Sequence, residues 1–151
     1  MIRSLIPLAI VCTMAACAHA GSTSSVAASP KVAAPSLPPD NGKLIFQTGK
    51  DAAGRQIAAA KPPLRHSCAA CHGVNGAGGV HLPHGAVSAD LRHDALTVAQ
   101  KPHPYTLALL ERAISTGVDN NAQPLNPVMP RWKLSNRDLH DVAAYVRTQL
   151  K

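Results

Sequence analysis

Two cysteines and a histidine form the most chemically suggestive pattern in the chain: Cys68, Cys71 and His72, in the order Cys-x-x-Cys-His. Positions three apart share one face of a helical turn, so both thiols would point the same way. The histidine follows directly in the chain. A Cys-x-x-Cys pair occurs in redox dithiols and in zinc sites, and with the adjacent histidine it is a signature of covalent haem attachment.

The remainder of the sequence favours haem attachment over the other two sites. A thioredoxin-like dithiol belongs to a βαβ pattern, and none is visible here. A four-ligand zinc site needs a second cysteine pair, and the two remaining cysteines lie in the N-terminal leader described below. His66, His81 and His84 are the nearby residues that could replace such a pair. In the haem interpretation the two thiols bind the porphyrin vinyl groups, and His72 is the proximal iron ligand.

The residues around this motif resemble the class I cytochromes c of bacteria. The likeness covers the chain from about Asp40 to its C-terminus and is carried by Gly42 and Phe46, the run Cys68-Ala-Ala-Cys-His72-Gly73-x-x-Gly76-x-Gly78-Gly79, segments 113–119 and 125–132, and a closing helix. The resemblance implies that residues 40–151 form an all-α cytochrome c fold. In that fold, short helices wrap one covalently bound haem c and its iron.

Met129 is the predicted second axial ligand of that iron. It lies in a stretch broken by three prolines, which cannot form a regular helix. The family places its ligand methionine in such a segment, and the two other methionines of this chain lie in the leader. The rival ligands are His81, His84 and His103. A thioether ligand favours reduced iron and raises the potential relative to two histidines.

Hydrophobic periodicity and capping residues predict three longer helices. The first runs from the N-cap Asp40 to Gly49, with Leu44, Ile45 and Phe46 on its apolar face. The second runs from Pro104 or Tyr105 to Ser115, with Gly117 as the C-cap. The third runs from the N-cap Ser135, with Asp138 at the capping-box position, to about Leu150. The resemblance implies that the first and last helices touch, with Gly42 or Phe46 against Tyr145.

The segments between these helices carry fewer signals. Residues 73–104 are rich in Gly, His and Pro and should form loop with one short helix. Arg92 is a candidate contact for a haem propionate, as is Lys101. Residues 50–66 are long for the family, whose members differ in this segment, so their conformation and role are left open.

The first 39 residues have the composition of a leader and a tether. Residues 1–20 read as an export signal, with a short apolar run after Arg3. Two cleavage sites compete: a lipoprotein-type site before Cys17, which would leave that cysteine lipidated, and an ordinary site before Gly21. Residues 21–39 form a Ser/Ala/Pro-rich linker. The protein is therefore expected in the periplasm, with membrane attachment through Cys17 if that cysteine is lipidated.

Composition narrows the choice of partner. The chain has 15 Lys and Arg against 8 Asp and Glu, a formal net charge of +7. It contains no run of basic residues, and aromatic residues are only 3% of the chain, too few for base-stacking platforms. We therefore predict no nucleic-acid partner. So few bulky side chains cannot fill a large core, and a haem would supply the missing apolar volume.

These observations predict a one-electron carrier that exchanges electrons with donor and acceptor redox proteins and is not itself an enzyme. Two alternatives stay open. The same features suit the cytochrome subunit of a dehydrogenase or an oxidase. An open sixth position at the iron would instead indicate a haem enzyme or a ligand sensor.

Overall fold

The structure is a computed structural model that describes residues 40–151. The predicted export signal, its two cleavage sites, Cys17 and the 21–39 linker all lie outside the described residues. The helices are α1 (Asn41–Thr48), α2 (Ala69–His72), α3 (His93–Thr97), α4 (Leu107–Thr116) and α5 (Asn136–Gln149), with a 3-10 turn at Pro83–Gly85. The prediction of an all-α domain is confirmed.

None of the helices in the described part of the chain is long and apolar enough to cross a membrane.

The first helix ends at Gly49, as the sequence predicts, but its N-terminus lacks the predicted side-chain cap. Gly49 closes α1 in the left-handed conformation, with φ of 71°. Asp40 does precede α1, but its side chain makes no capping hydrogen bond. Ile45 and Phe46 are fully buried, whereas Leu44 is 39% exposed. The apolar face of α1 is thus rotated towards Phe46, and the inclusion of Leu44 in that face was wrong.

Hydroxyl caps start the two later helices. The Thr106 hydroxyl accepts from the Leu109 amide at 3.2 Å, so α4 begins slightly after the predicted Pro104 or Tyr105. The Ser135 hydroxyl accepts from the Asp138 amide at 3.1 Å and donates to its carboxylate at 2.7 Å. The predicted cap of α5 is confirmed, as is the left-handed Gly117 at the end of α4, with φ of 72°.

Helix α5 packs against α1, α3 and α4 and closes the core. The rings of Phe46 and Tyr145 lie 5.5 Å apart, tilted by 49°. Gly42 lies against the Asp141 backbone and Tyr145. The predicted contact between the first and last helices is therefore confirmed.

The conformation of residues 50–66, for which the sequence made no prediction, is fixed by backbone hydrogen bonds to the C-terminal third of the domain. This segment contains β1 (Ala58–Ala59), which pairs antiparallel with β2 (Trp132–Lys133). The Ala60 amide extends this ladder by donating to the Arg131 carbonyl at 2.8 Å. The loop character predicted for 73–104 is confirmed, with α3 as its one short α-helix. Both segments frame the site described next.

Candidate haem-binding site

A single helical turn presents the two cysteines. The amides of Cys71 and His72 donate to the Cys68 carbonyl at 3.1 and 2.9 Å, and the Gly73 amide donates to the Ala69 carbonyl. Both cysteines are free thiols of intermediate exposure, and both line one cleft of about 370 Å³. The spacing of the motif therefore brings both sulfurs to one cavity, as a pair of thioether links requires.

The ring of His72 is oriented by a backbone carbonyl. Its Nδ1 lies 2.8 Å from the Ala89 oxygen, which can only accept, so Nδ1 carries the proton. Burial lowers the pKa of His72, because the charged imidazolium is poorly solvated there. A neutral ring with Nδ1 protonated leaves the Nε2 lone pair free to bind a metal. This is the usual support for a metal-binding histidine.

The cysteine environment does not favour thiolate chemistry. Removal from water raises the pKa of Cys68 to about 12 and also raises that of Cys71, against the opposing influence of Arg65. A reactive dithiol attacks as the thiolate, so this environment disfavours it. In the part of the chain that the structure describes, no three His, Cys, Asp or Glu residues group as metal ligands, so His66, His81 and His84 do not complete a zinc site with the thiols.

The cleft that receives these groups is mainly apolar. Its lining draws on α1, the loop before α3 and the helices α3, α4 and α5. The apolar residues include Phe46, Leu82, Leu91, Leu96, Leu110, Ile114, Trp132, Val142 and Val146. Several of them also form the buried core. The cleft is therefore continuous with the core, and a flat apolar group placed in it would complete the packing.

Met129 lines the same cleft as Cys68, Cys71 and His72. It lies in the proline-rich loop after α4, where its amide donates to the Asn126 carbonyl at 3.0 Å. The rival histidines His81, His84 and His103 are exposed, and none of them contributes to the lining. The structure thus brings the predicted methionine, rather than a second histidine, to the cleft.

The structure does not place Arg92 in the cleft lining. Its guanidinium lies 2.5 Å from the Asp90 carboxylate, and both side chains are partly exposed. The pair lowers the pKa of Asp90 and raises that of Arg92. Asp90 does line the cleft, so Arg92 contacts a lining residue without lining the cleft itself. Lys101 is exposed and is likewise outside the lining.

The cleft lining also includes four polar residues that the sequence did not indicate: Gln100, Tyr105, Asn120 and Asn121. The Asn120 side-chain amide donates to the Gln100 side chain at 3.2 Å and to the His103 carbonyl at 2.5 Å. Asn120 and Asn121 directly follow segment 113–119, which carries part of the family resemblance, and this was the only signal for them in the sequence. Carboxylate groups on an otherwise apolar ligand would find polar side chains among these four residues.

The donor set and the cleft together fit a haem c. Two thiols, a neutral imidazole with a free nitrogen and a thioether all line one mainly apolar cavity. In comparison with known proteins, the family model described as cytochrome c matches residues 40–149. No curated protein matches the chain.

Proposed function

The chain belongs to the cytochrome c family, whose members bind covalent haem c and transfer electrons, and from this premise we propose that it is a class I one-electron carrier with His72 and Met129 as axial iron ligands. The single observation that carries the proposal is the convergence of Cys68, Cys71, His72 and Met129 on one apolar cleft.

Each of these side chains has a distinct task. The thiols of Cys68 and Cys71 would hold the haem covalently, each through one thioether bond to a vinyl group, with the thiol hydrogen taken up by the neighbouring vinyl carbon. His72 presents Nε2 because the Ala89 carbonyl holds Nδ1. Met129 would supply a neutral sulfur as the second protein ligand to the iron. When bound, haem c supplies a one-electron ferric/ferrous couple.

The apolar lining and the thioether favour the same redox state. Ferric haem carries one more positive charge than ferrous haem, and an apolar cleft solvates that charge poorly. A methionine ligand also stabilises reduced iron relative to a second histidine. The carrier is therefore expected to have a higher potential than a bis-histidine cytochrome. With His72 and Met129 both holding the iron, no position would be left for a substrate, and the partners would be donor and acceptor redox proteins.

The proposed site of action is the periplasm. Cytochrome c domains are typically periplasmic or extracellular. The apolar leader and the Ser/Ala/Pro-rich tether at 21–39 support export, and Cys17 supports a lipid anchor. Mass spectrometry of the mature N-terminus tests this. A diacylglycerol adduct on Cys17 supports the anchor, whereas a free N-terminus at Gly21 leaves a soluble periplasmic carrier.

Optical spectroscopy of the purified protein tests the ligation. The oxidised protein should show the methionine–iron charge-transfer band and a low-spin spectrum. The reduced protein should bind carbon monoxide slowly or not at all. A wild-type protein that is high-spin and binds carbon monoxide at once would contradict the carrier proposal, because its sixth position would be open.

A further inference from the structure

Three carbonyl oxygens of the Met129 loop converge on one guanidinium. Nη2 of Arg131 donates to the Leu125 carbonyl at 2.8 Å, and Nη1 donates to the carbonyls of Met129 and Asn126 at 2.5 and 3.3 Å. None of the ion pairs within residues 40–151 includes Arg131. Its charge is therefore directed at backbone oxygens of the loop rather than at a carboxylate.

Gly117 lies directly against the other side of the guanidinium. A Cβ atom at position 117 would lie 1.8 Å from Nε of Arg131, so the arginine occupies the space that the glycine leaves open. The Leu125 amide also donates to the Gly117 carbonyl at 2.8 Å. The side chain of Arg131 is thus enclosed between the end of α4 and the loop that follows it.

The backbone of Arg131 is fixed independently of its side chain. Its carbonyl accepts the Ala60 amide at 2.8 Å, and the next two residues form β2 against β1. The guanidinium therefore reaches back to the loop from an anchored position. It supplies hydrogen bonds to a segment whose three prolines, Pro124, Pro127 and Pro130, cannot donate any.

We propose that Arg131 is a positioning residue that holds Met129 in place as an iron ligand. This inference rests on the proposed His72/Met129 ligation. Hydrogen bonds from a charged donor are stronger than neutral ones. Losing them frees the Leu125, Asn126 and Met129 carbonyls together and lets the loop carry the thioether out of the cleft. Arg131 acts through the position of Met129 and does not itself contact the metal.

The experiment compares Arg131→Gln and Arg131→Lys with Lys133→Gln in the haem-loaded protein. Lys133 is an exposed cation two residues after Arg131, so its variant controls for the loss of one nearby charge. Denaturant titration follows the methionine–iron band beside the helical circular dichroism. In Arg131→Gln the band should disappear before the helices unfold, with an equilibrium constant for methionine release raised about tenfold or more.

Arg131→Lys keeps the charge but loses the two-pronged geometry, so its band should be lost at an intermediate denaturant concentration. This variant also serves if Arg131→Gln does not fold. Lys133→Gln should match wild type. The proposal is overturned if Arg131→Gln, or Arg131→Lys in its place, releases methionine at the wild-type concentration.

A second measurement separates this proposal from the ligation on which it rests. Amide hydrogen exchange at Leu125 and Met129 reports loop order without reference to iron, and it should accelerate in the Arg131 variants only. If wild type lacks the methionine band, the ligation proposal fails. Unchanged exchange in the Arg131 variants shows instead that Arg131 does not hold the loop.

Discussion

Gly42 of α1 lies directly against the backbone of Asp141 in α5. A Cβ atom at position 42 would lie 2.1 Å from the Asp141 carbonyl oxygen and 2.9 Å from the Tyr145 Cβ. Asn41 reinforces the contact, because its buried side-chain amide donates to the carboxylates of Asp141 at 2.7 Å and Asp138 at 3.1 Å. The first and last helices therefore meet at a point that admits no side chain at position 42.

Gly42→Ala should lower the free energy of unfolding by about 1–2 kcal/mol, the overpacking cost less the helix-propensity gain of alanine. Alanine is favoured in helices by about 1 kcal/mol over glycine. Overpacking against rigid backbone costs roughly 1–3 kcal/mol, and here a contact near 2 Å forces the helices apart. Denaturant unfolding of the haem-loaded protein measures the change. Lys43→Ala, at the exposed neighbouring position, should be nearly neutral, and equal stability of Gly42→Ala and wild type would contradict the close packing.

Replacing both Cys68 and Cys71 by Ser should abolish covalent haem. Serine preserves size and polarity but cannot form a thioether. The variant should lose haem on acid–acetone extraction and show no haem stain after denaturing electrophoresis. The wild-type protein should keep its haem through the extraction and stain for haem on the gel. Ser67→Ala, adjacent to the motif and also lining the cleft, is a matched control that should retain the stain. Haem stain that persists in the double variant would refute the attachment assignment.

Met129→His should lower the midpoint potential by on the order of a hundred millivolts, because imidazole stabilises ferric iron more than a thioether does. Redox titration against mediators provides the measurement.

Met129→Ala should instead open the sixth position, give high-spin character and allow rapid carbon monoxide binding by the reduced protein. Val128→Ala, the preceding residue in the same cleft, should leave the potential and the spin state close to wild type. Equal carbon monoxide binding by wild type and Met129→Ala would remove Met129 from the ligand set.

Asp51→Asn should destabilise the protein at neutral pH and flatten its acid dependence. The nearly buried carboxylate accepts from the Arg55 and Ala53 amides and pairs with the Arg55 guanidinium at 2.7 Å. These partners, the Arg55 amide first, hold the pKa of Asp51 below its ordinary 3.8. A lowered folded-state pKa adds stability that is complete above 3.8 and is lost as pH falls through the folded value.

The difference in melting temperature between wild type and Asp51→Asn should therefore shrink on going from neutral pH to well below 3.8. Asp40→Asn is the control, since it removes the same charge at a residue whose side chain makes no capping hydrogen bond. A gap of constant size across that range would show that Asp51 contributes nothing through its charge.

Local signals in the sequence were sufficient for the motif turn, the caps at Ser135 and Gly117 and the approximate helices. Each depends on residues within a few positions of one another. Leu44 was wrongly placed on the apolar face beside Ile45 and Phe46, because one short helix does not fix its own rotation; the contact of Phe46 with Tyr145 does. Arg92 was a candidate propionate contact, whereas in the structure its guanidinium pairs with Asp90, two residues away.

The non-local features were beyond sequence reasoning. Nothing in the Ala58–Ala59 sequence specifies pairing with Trp132–Lys133, because two-residue strands have no readable alternation. Arg131 likewise reads as one more surface cation until the fold brings Gly117 beside it. Met129 was predicted from the family resemblance and the prolines, whereas the guanidinium behind its loop required the structure.

The short ladder between β1 and β2 bears on how fast the proposed carrier exchanges electrons. Each exchange requires the atoms around the metal to adjust to a new charge, and the energy of that adjustment slows the reaction. The ladder and the Ala60–Arg131 hydrogen bond anchor the strand that follows Met129 to a distant part of the chain. Under the proposed Met129 ligation, a loop held in this way is expected to keep one geometry in both oxidation states. We then expect a small reorganisation energy, so that the distance to the partner's redox centre sets the rate.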